Sequence, residues 1–134
     1  MRIIISAEIS TKTQEENKKR TDALLSWFRY SSTQYNEVTG MYKGSIERSF
    51  IINIEENELG LYLDLASSFH QEAILILDND NIATLYYLET DKTEVIGQFQ
   101  PLDSYTRVGD TVYTCEPIKT VYNAVECKPQ IRRL

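Results

Sequence analysis

The residues of this chain with the clearest chemical potential are the phenol of Tyr42 and the carboxylate of Glu47. The dipeptide Gly44-Ser45 lies between them, and glycine suits the first central position of a type II′ turn, which requires a positive φ. A two-residue turn there sets Tyr42 directly opposite Glu47, with their Cβ atoms roughly 4.5–5.5 Å apart. The spacing therefore predicts a β-hairpin over residues 36–54 that presents a phenol beside a carboxylate.

The alternation of side chains along the second strand of this hairpin places the Tyr42–Glu47 pair on the face away from the core. One face carries the apolar residues Phe50, Ile52 and Ile54. The other face carries Glu47, Ser49, Ile51 and Asn53. A phenol and a carboxylate on that face could build a binding or catalytic site, and a cross-strand hydrogen bond without function is the alternative.

Other catalytic groups are scarce in the sequence. His70 is the single histidine, and the two cysteines, Cys115 and Cys127, form no CxxC pair. This set provides neither the ligands of a structural zinc site nor a nucleophilic triad. The spacing of the glycines fits no phosphate-binding loop. The Asp and Asn residues at 78–81 predict a turn. They do not predict a calcium loop, because the glycine and the glutamate that such a loop requires are missing. We therefore expect neither a metal site nor a cofactor.

The bulk properties of the chain limit its partners. Its 134 residues suit one domain, residues 1–134, and its net charge of −6 argues against nucleic acid or an anionic membrane as a partner. No run of about 18 apolar residues occurs, and the apolar start of the chain ends at Glu8, too early for a signal peptide. We expect a cytoplasmic protein.

Hydrophobic periodicity predicts an ordered series of helices and strands. A β-branched strand over residues 2–10 is followed by a helix that begins with the capping box at Thr13 and ends at residues 31–33. After the hairpin, an amphipathic helix over Asn57–Gln71 begins with Asn57 as its N-cap. Further strands are predicted at 73–77, 82–88, 95–99 and 111–114. The tail, residues 118–134, is expected to be extended or docked on a neighbouring subunit.

The order of the first six elements, strand–helix–strand–strand–helix–strand, is that of the split βαβ or ferredoxin-like fold. The sequence therefore predicts an α+β domain: a ferredoxin-like (βαββαβ) antiparallel sheet with two helices on one face and additional C-terminal strands. The second face would then lack a helical cover, and domains rarely leave a broad apolar sheet face in water. We therefore expect oligomerisation through that face, which carries Ile51 and the tyrosine-rich later strands.

A series of short segments over residues 3–115 resembles the phage-encoded S-adenosylmethionine lyases, formerly called S-adenosylmethionine hydrolases. The similarity is distributed along the chain, and the segments follow one another in the same order. They are Ile5-Ser6-Ala7, Thr39-Gly40-Met41-Tyr42, Glu47, Leu65-Ala66, Gln71-Glu72-Ala73-Ile74-Leu75-Ile76 and Gly97-Gln98-Phe99-Gln100.

The resemblance implies a ferredoxin-like subunit that assembles as a homotrimer, with active sites in clefts between subunits. The important tyrosine and glutamate of the family fall on Tyr42 and Glu47. The family has a longer connection between these two residues, but the difference is an even number of residues, so both side chains still share a face. Contacts to the adenosine are expected from Ser49 and from the strand edge that begins with Gln71 and Glu72.

The activity that the resemblance implies is the degradation of S-adenosylmethionine to methylthioadenosine and homoserine lactone. The carboxylate of the substrate attacks its own γ-carbon and the neutral thioether leaves, so the step needs no cofactor and no activated water. Direct hydrolysis is the alternative outcome. Depletion of the methyl donor in the host cytoplasm would disarm restriction–modification systems that need it.

Two further functions are compatible with the sequence. A non-enzymatic anti-restriction protein could use its acidic surface to mimic the charge of DNA. A ferredoxin-like trimer could instead sense an adenosine ligand between its subunits without converting it. Turnover of S-adenosylmethionine distinguishes the enzyme from both.

Overall fold

The computed structural model describes residues 1–42, 45–101, 116–117 and 129–132, and it shows an α+β protein. Two helices are present in these residues, α1 (Gln14–Tyr30) and α2 (Leu59–Ser68), and a 3-10 turn at Glu56–Glu58 precedes α2. The strands are β1 (Arg2–Ile5), β2 (Asn36–Tyr42), β3 (Ser45–Asn53), β4 (Ala73–Leu77), β5 (Ile82–Tyr87), β6 (Thr93–Pro101), β7 (Glu116–Pro117) and β8 (Pro129–Arg132). They form one antiparallel sheet in the order β7-β2-β3-β1-β4-β5-β6-β8.

Helix α1 begins and ends where its local sequence predicts. Thr13 is the N-cap, and its hydroxyl oxygen accepts a hydrogen bond from the Glu16 N–H at 3.1 Å. Such a cap satisfies one of the N–H groups that lack a partner in the first turn of a helix. Ser31 ends the helix, where its own N–H and hydroxyl both bond to the Trp27 carbonyl.

Helix α2 begins later than the sequence predicts. Asn57 was expected as the N-cap, but it lies inside the 3-10 turn, and the α-helix starts at Leu59. The N–H of Glu55 bonds to the Glu58 carboxylate at 2.9 Å, so a reciprocal contact between two glutamates replaces the expected cap. By contrast, the predicted turn over residues 78–81 is confirmed, because Asp78 Oδ1 accepts the N–H groups of Asp80 and Ile82.

The β2–β3 hairpin has a register that differs by two residues from the prediction. Tyr42 pairs with Ser45, so the connecting residues are 43 and 44 rather than Gly44-Ser45, and these two lie outside the described residues. As a result Gly40, not Tyr42, lies directly opposite Glu47. Because a shift of two residues preserves the alternation of side chains, Tyr42 and Glu47 still hold positions on the same face of the sheet.

The helices cover one face of the sheet and form its main core. Phe28 of α1 packs edge-on against Phe50 of β3, with ring centroids 5.7 Å apart. Tyr62 of α2 makes a similar contact with Trp27, at 5.8 Å. This packing confirms that Phe50, Ile52 and Ile54 point to the core. It also holds β3 against the two helices.

The second face of the sheet is not the open apolar surface that we expected. Within a single chain, Ile4, Leu75, Leu77 and Leu85 on this face expose only 8%, 4%, 0% and 2% of their surface. Their burial removes the physical reason for covering this part of the sheet with a partner subunit. Oligomerisation through this face, which we expected at Ile51 and the tyrosine-rich strands, stays a prediction.

The C-terminal part of the chain adds strands at both edges of the sheet. Strand β8 pairs with β6, with Arg132 opposite Gln98, and β7 pairs with β2. Part of the tail is thus extended and docked on its own chain. The strand predicted at 111–114 and Arg133 lie outside the described residues. In the described ranges, neither helix has the length and apolar character needed to cross a lipid bilayer.

Candidate active site

Glu47 lies at a point of the hairpin where the opposite strand carries no side chain. Its cross-strand partner is Gly40, and the next residue along the same face of β3 is Ser49, which is 2% exposed. A Cβ built on Gly40 would lie 2.6 Å from Ser49 Oγ, closer than real Cβ atoms approach other heavy atoms. Only glycine therefore fits at position 40 without a local shift, because Ser49 already fills the space that a side chain there would need.

Tyr42 holds the diagonal position next to this pair. Its strand position is on the same face as Glu47, but it pairs with Ser45. Diagonal positions in an antiparallel pair are about 7–8 Å apart, still within reach of long side chains. The side chain of Tyr42 lies outside the described residues, so its role stays a prediction.

The carboxyl group of Glu47 is in an environment that disfavours its charge. Burial, and to a smaller extent the negative charge of Glu8, raises the pKa of Glu47 from 4.5 to about 7. Among the residues that the structure describes, no cation or hydrogen-bond donor contacts the Glu47 carboxylate. A partly buried carboxylate without such a partner is suited to receive a cationic ligand, because the ligand would supply the missing compensation.

Glu8 reaches this site from the segment that follows β1. The β1–β3 ladder ends with the pair Ile5–Phe50, and two side chains then continue its hydrogen bonding. Glu8 Oε2 accepts the N–H of Arg48 at 2.6 Å, and the Ser6 hydroxyl donates to the Arg48 carbonyl at 2.6 Å. The residue that follows Glu47 is therefore held at both of its backbone polar groups.

The segment that carries Glu8 is itself anchored to both helices. The Glu8 N–H bonds to Ser6 Oγ at 3.1 Å, and Gln71 Nε2 donates to the Glu8 carbonyl at 3.0 Å. Arg20 of α1 donates through Nε to the Ala7 carbonyl at 2.7 Å and through its terminal nitrogen to the Phe69 carbonyl. These contacts bring Gln71, a predicted substrate-binding residue, to the backbone of Glu8 rather than to the Glu47 face.

The remaining predicted substrate-binding residues lie at different distances from Glu47. Ser49 is on the same strand and face, two residues away, and its hydroxyl lies 3.5 Å from the Glu47 carbonyl. Glu72 precedes β4, its side chain is exposed, and its carbonyl accepts the N–H of Leu88. The structure thus places Ser49 beside Glu47 and connects Gln71 to it through Glu8, and the role of Glu72 stays a prediction.

Three surface cavities lie elsewhere on the chain, and Glu47 lines none of them. The largest of the three, about 830 Å³, is bordered by Asn53 and by several acidic residues. It opens at the far end of β3, six residues from Glu47, which corresponds to about 20 Å along a strand. A cavity of about 410 Å³ is lined by Glu8 and Arg48 on the helix side of the hairpin.

Glu8 and Ser6 are the residues of this site whose roles sequence reasoning missed. Ser6 belongs to the first segment of the resemblance, but its bond to Arg48 depends on the pairing of β1 with β3. Extending the pair Ile5–Phe50 by three residues places Glu8 opposite Glu47, so the β1–β3 register was the signal that could have identified it.

A comparison with protein-family models supports the family resemblance. Residues 3–125 match the family model described as the S-Adenosylmethionine lyase family. A search of curated proteins finds no match. Because the family model covers most of the 134 residues, the chain belongs to the S-adenosylmethionine lyase family.

Proposed function

We propose that this protein degrades S-adenosylmethionine to methylthioadenosine and homoserine lactone, with Glu47 and Tyr42 as its catalytic residues. The observation that carries the proposal is the environment of Glu47: a partly buried carboxyl group with a pKa of about 7, opposite a glycine. Family membership supports S-adenosylmethionine as the substrate and an enzyme of this kind. Depletion of this methyl donor in a host cell would counter restriction–modification systems.

The proposed step is an intramolecular displacement that balances without any added group. An oxygen of the substrate carboxylate forms a bond to the γ-carbon, and the bond from that carbon to the sulfonium sulfur breaks. Its electron pair moves to sulfur, which leaves as the neutral thioether of methylthioadenosine. No proton is transferred in this step, so the site needs no general base.

Glu47 is assigned to the α-ammonium of the substrate rather than to its sulfonium. The sulfonium charge disappears during the reaction, so a carboxylate bound to it would stabilise the ground state more than the transition state. The ammonium charge is the same before and after bond breaking. A carboxylate on the ammonium therefore holds the substrate without opposing the chemical step, and it leaves the substrate carboxylate free to attack.

The rate enhancement is assigned mainly to conformation and solvent exclusion. Holding the methionine chain folded, with carboxylate and γ-carbon in contact, can supply several kcal/mol as an intramolecular effect. Removing water favours the step further, because carboxylate and sulfonium charges annihilate each other as the bond forms. Tyr42 is assigned to orient Glu47 or the methionine chain through its hydroxyl.

The ferredoxin-like topology and a homotrimer are part of the same proposal. The strand order β2-β3-β1-β4, with helices α1 and α2 on one face, supports the ferredoxin-like description of the first six elements. The clefts between subunits that the family resemblance implies would complete the site around Glu47. Light scattering on the purified protein tests this assembly, and a monomer that turns over substrate would contradict the shared site.

Incubation of the purified protein with S-adenosylmethionine tests the activity. Methylthioadenosine should accumulate with the wild-type chain, and Glu47→Gln should remove most of the turnover while leaving the oligomer unchanged. Glu89→Gln, which neutralises an exposed carboxylate, is the matched control and should retain activity. Binding without turnover would favour a ligand sensor, and the absence of binding would contradict any function on this ligand.

Heavy-oxygen water distinguishes lactone formation from direct hydrolysis. If water attacks the γ-carbon, the label appears in the hydroxyl group of homoserine. If a lactone forms first and later opens at its carbonyl, the label appears in the carboxylate instead. We expect the second result, together with unlabelled lactone at early times.

A further inference from the structure

We propose that Glu8 is a positioning residue that acts through Glu47, by fixing the β3 backbone next to it and by placing a second negative charge beside it. The inference rests on the function proposed above and adds a residue to that site. Glu8 lies outside the segments that carry the family resemblance, and its part in the site follows from its contacts alone.

The first part of the inference is geometric. Glu8 Oε2 binds the Arg48 N–H at 2.6 Å, and the Ser6 hydroxyl binds the Arg48 carbonyl at 2.6 Å. Glu8 is held in turn through its own N–H and its carbonyl, by Ser6 and Gln71. A carboxylate on a residue whose backbone is fixed at two points can hold a strand residue within the small tolerance that a preorganised site requires.

The second part of the inference is electrostatic. The groups around Glu47 are Glu8 from the segment after β1, Gly40 from β2 and Ser49 from β3, and Tyr42 occupies the diagonal position. Among the described residues, Glu8 is the charged group whose interaction contributes to the raised pKa of Glu47. The charged pair of Arg48 and Glu37 belongs to the helix face of the hairpin, because both residues share the orientation of Phe50.

The two carboxylates together make the ionisation of Glu47 depend on whether a cation is bound. Near pH 7 the free Glu47 is partly protonated, owing to burial and to the charge of Glu8. A bound cation would favour the ionised form, so substrate binding near neutral pH should release a proton. Removal of the charge of Glu8 should therefore let Glu47 ionise at lower pH and weaken the attraction for the substrate.

Three variants separate the charge of Glu8 from its hydrogen bond. Glu8→Gln removes the charge and keeps an oxygen that can accept the Arg48 N–H. Glu8→Asp keeps the charge but shortens the side chain, and Ser6→Ala removes the other bond to Arg48 without changing any charge. The dependence of kcat and KM on pH is measured for each variant, and the Glu47 carboxyl is titrated by carbon-13 NMR.

The expected results differ between the variants. For Glu8→Gln, the acid limb of kcat/KM and the NMR titration of Glu47 both move to lower pH, and KM at pH 8 rises about 3- to 10-fold, as for one lost charge interaction. For Glu8→Asp and Ser6→Ala, kcat falls while the acid limb stays in place. The proposal is overturned if Glu8→Gln changes neither the acid limb of kcat/KM nor the NMR titration of Glu47.

The NMR titration also keeps this inference separate from the proposed reaction. If the wild-type chain shows no turnover, the proposed function fails, whereas the titration of Glu47 with and without the charge of Glu8 still gives an answer. If the wild type turns over substrate but the titration of Glu47 is the same with and without the charge of Glu8, the proposed reaction is supported and the positioning role of Glu8 is wrong.

Discussion

Gly40 and Ser49 approach each other so closely across the β2–β3 hairpin that a Cβ on Gly40 would lie 2.6 Å from Ser49 Oγ. This contact lies beside the Glu47 side chain, whose direct cross-strand partner is Gly40. The absence of a side chain on Gly40 thus lets Ser49 pack against the opposite strand beside Glu47.

Gly40→Ala should therefore disturb both stability and activity. The added methyl group forces Ser49 or the strand to move, and we expect a loss of about 1–3 kcal/mol in the free energy of unfolding, measured by urea denaturation. Gly60→Ala is the matched control, because a Cβ at Gly60 meets nothing within 4 Å. In the first turn of α2 it should stabilise the protein by about 0.5–1 kcal/mol. Equal effects of the two changes would contradict the importance of the Gly40 contact.

Glu47 should make the stability of the protein depend on pH. Its pKa is about 7 in the folded chain against 4.5 as the ordinary value, so the folded state holds this proton more tightly than the unfolded state. The contribution to the free energy of unfolding is present below about pH 4.5 and is lost as the pH rises to about 7. Glu47→Gln has no carboxyl group to ionise at this position, so the variant does not lose this stability as the pH rises.

Denaturation of the wild type and of Glu47→Gln at pH 4 and pH 8 measures this effect. We expect equal stability at pH 4, and at pH 8 an advantage of up to about 3 kcal/mol for Glu47→Gln, because each unit of pKa corresponds to about 1.4 kcal/mol. Glu89→Gln at the surface should change stability by no more than about 0.5 kcal/mol at either pH. If Glu47→Gln exceeds the wild type in free energy of unfolding by the same amount at pH 4 and at pH 8, the raised pKa of Glu47 is contradicted.

Thr21 offers a test of buried polar groups in α1. It is 1% exposed, and its hydroxyl has no hydrogen-bond partner among the described residues. Thr21→Val replaces this hydroxyl by a methyl group of similar size, and we expect a gain of about 1–3 kcal/mol in the free energy of unfolding. Thr13→Val in the same helix should have the opposite sign, a loss of about 1 kcal/mol, because it removes the N-cap bond to Glu16. Destabilisation by Thr21→Val would show that the hydroxyl has a partner in solution.

Gln71 tests whether the segment after β1 supports the reaction. Its side chain donates to the Glu8 carbonyl at 3.0 Å, so Gln71→Ala should lower kcat about 10-fold by loosening Glu8. Steady-state kinetics at saturating substrate measures the effect. Glu89→Ala, at an exposed position outside the predicted site, should leave kcat within about 2-fold. A rise in KM with unchanged kcat for Gln71→Ala would instead support the direct substrate contact that the sequence suggests.

Local chemistry accounts for the parts of the fold that the sequence predicted well. Strand β4 begins and ends as predicted at 73–77, and α1 begins after the predicted cap Thr13. These features depend on residues near one another in the chain. Asn57 failed as a cap because the two glutamates around it, Glu55 and Glu58, bond to each other and extend a 3-10 turn first.

The β2–β3 hairpin shows why the pairing register of two strands is harder to predict than the sheet face on which a residue lies. Turns at 43–44 and at Gly44-Ser45 both contain Gly44, and they differ by two residues in pairing. Both leave Glu47 on the same face as Tyr42, so the alternation of apolar and polar residues cannot distinguish them. The structure adopts the register in which Gly40 pairs with Glu47 and Val38 with Ser49.

The sequence by itself determined the α+β class, the family, and the face of β3 on which Glu47 lies. Periodicity and motif order carry this information, because each depends on spacing along the chain. Tertiary structure alone decided that Gly40 is the partner of Glu47, that part of the second sheet face is buried, and that Glu8 stands beside the site. Those relations depend on the pairing of β1 with β3 and on packing between distant residues, which local patterns do not specify.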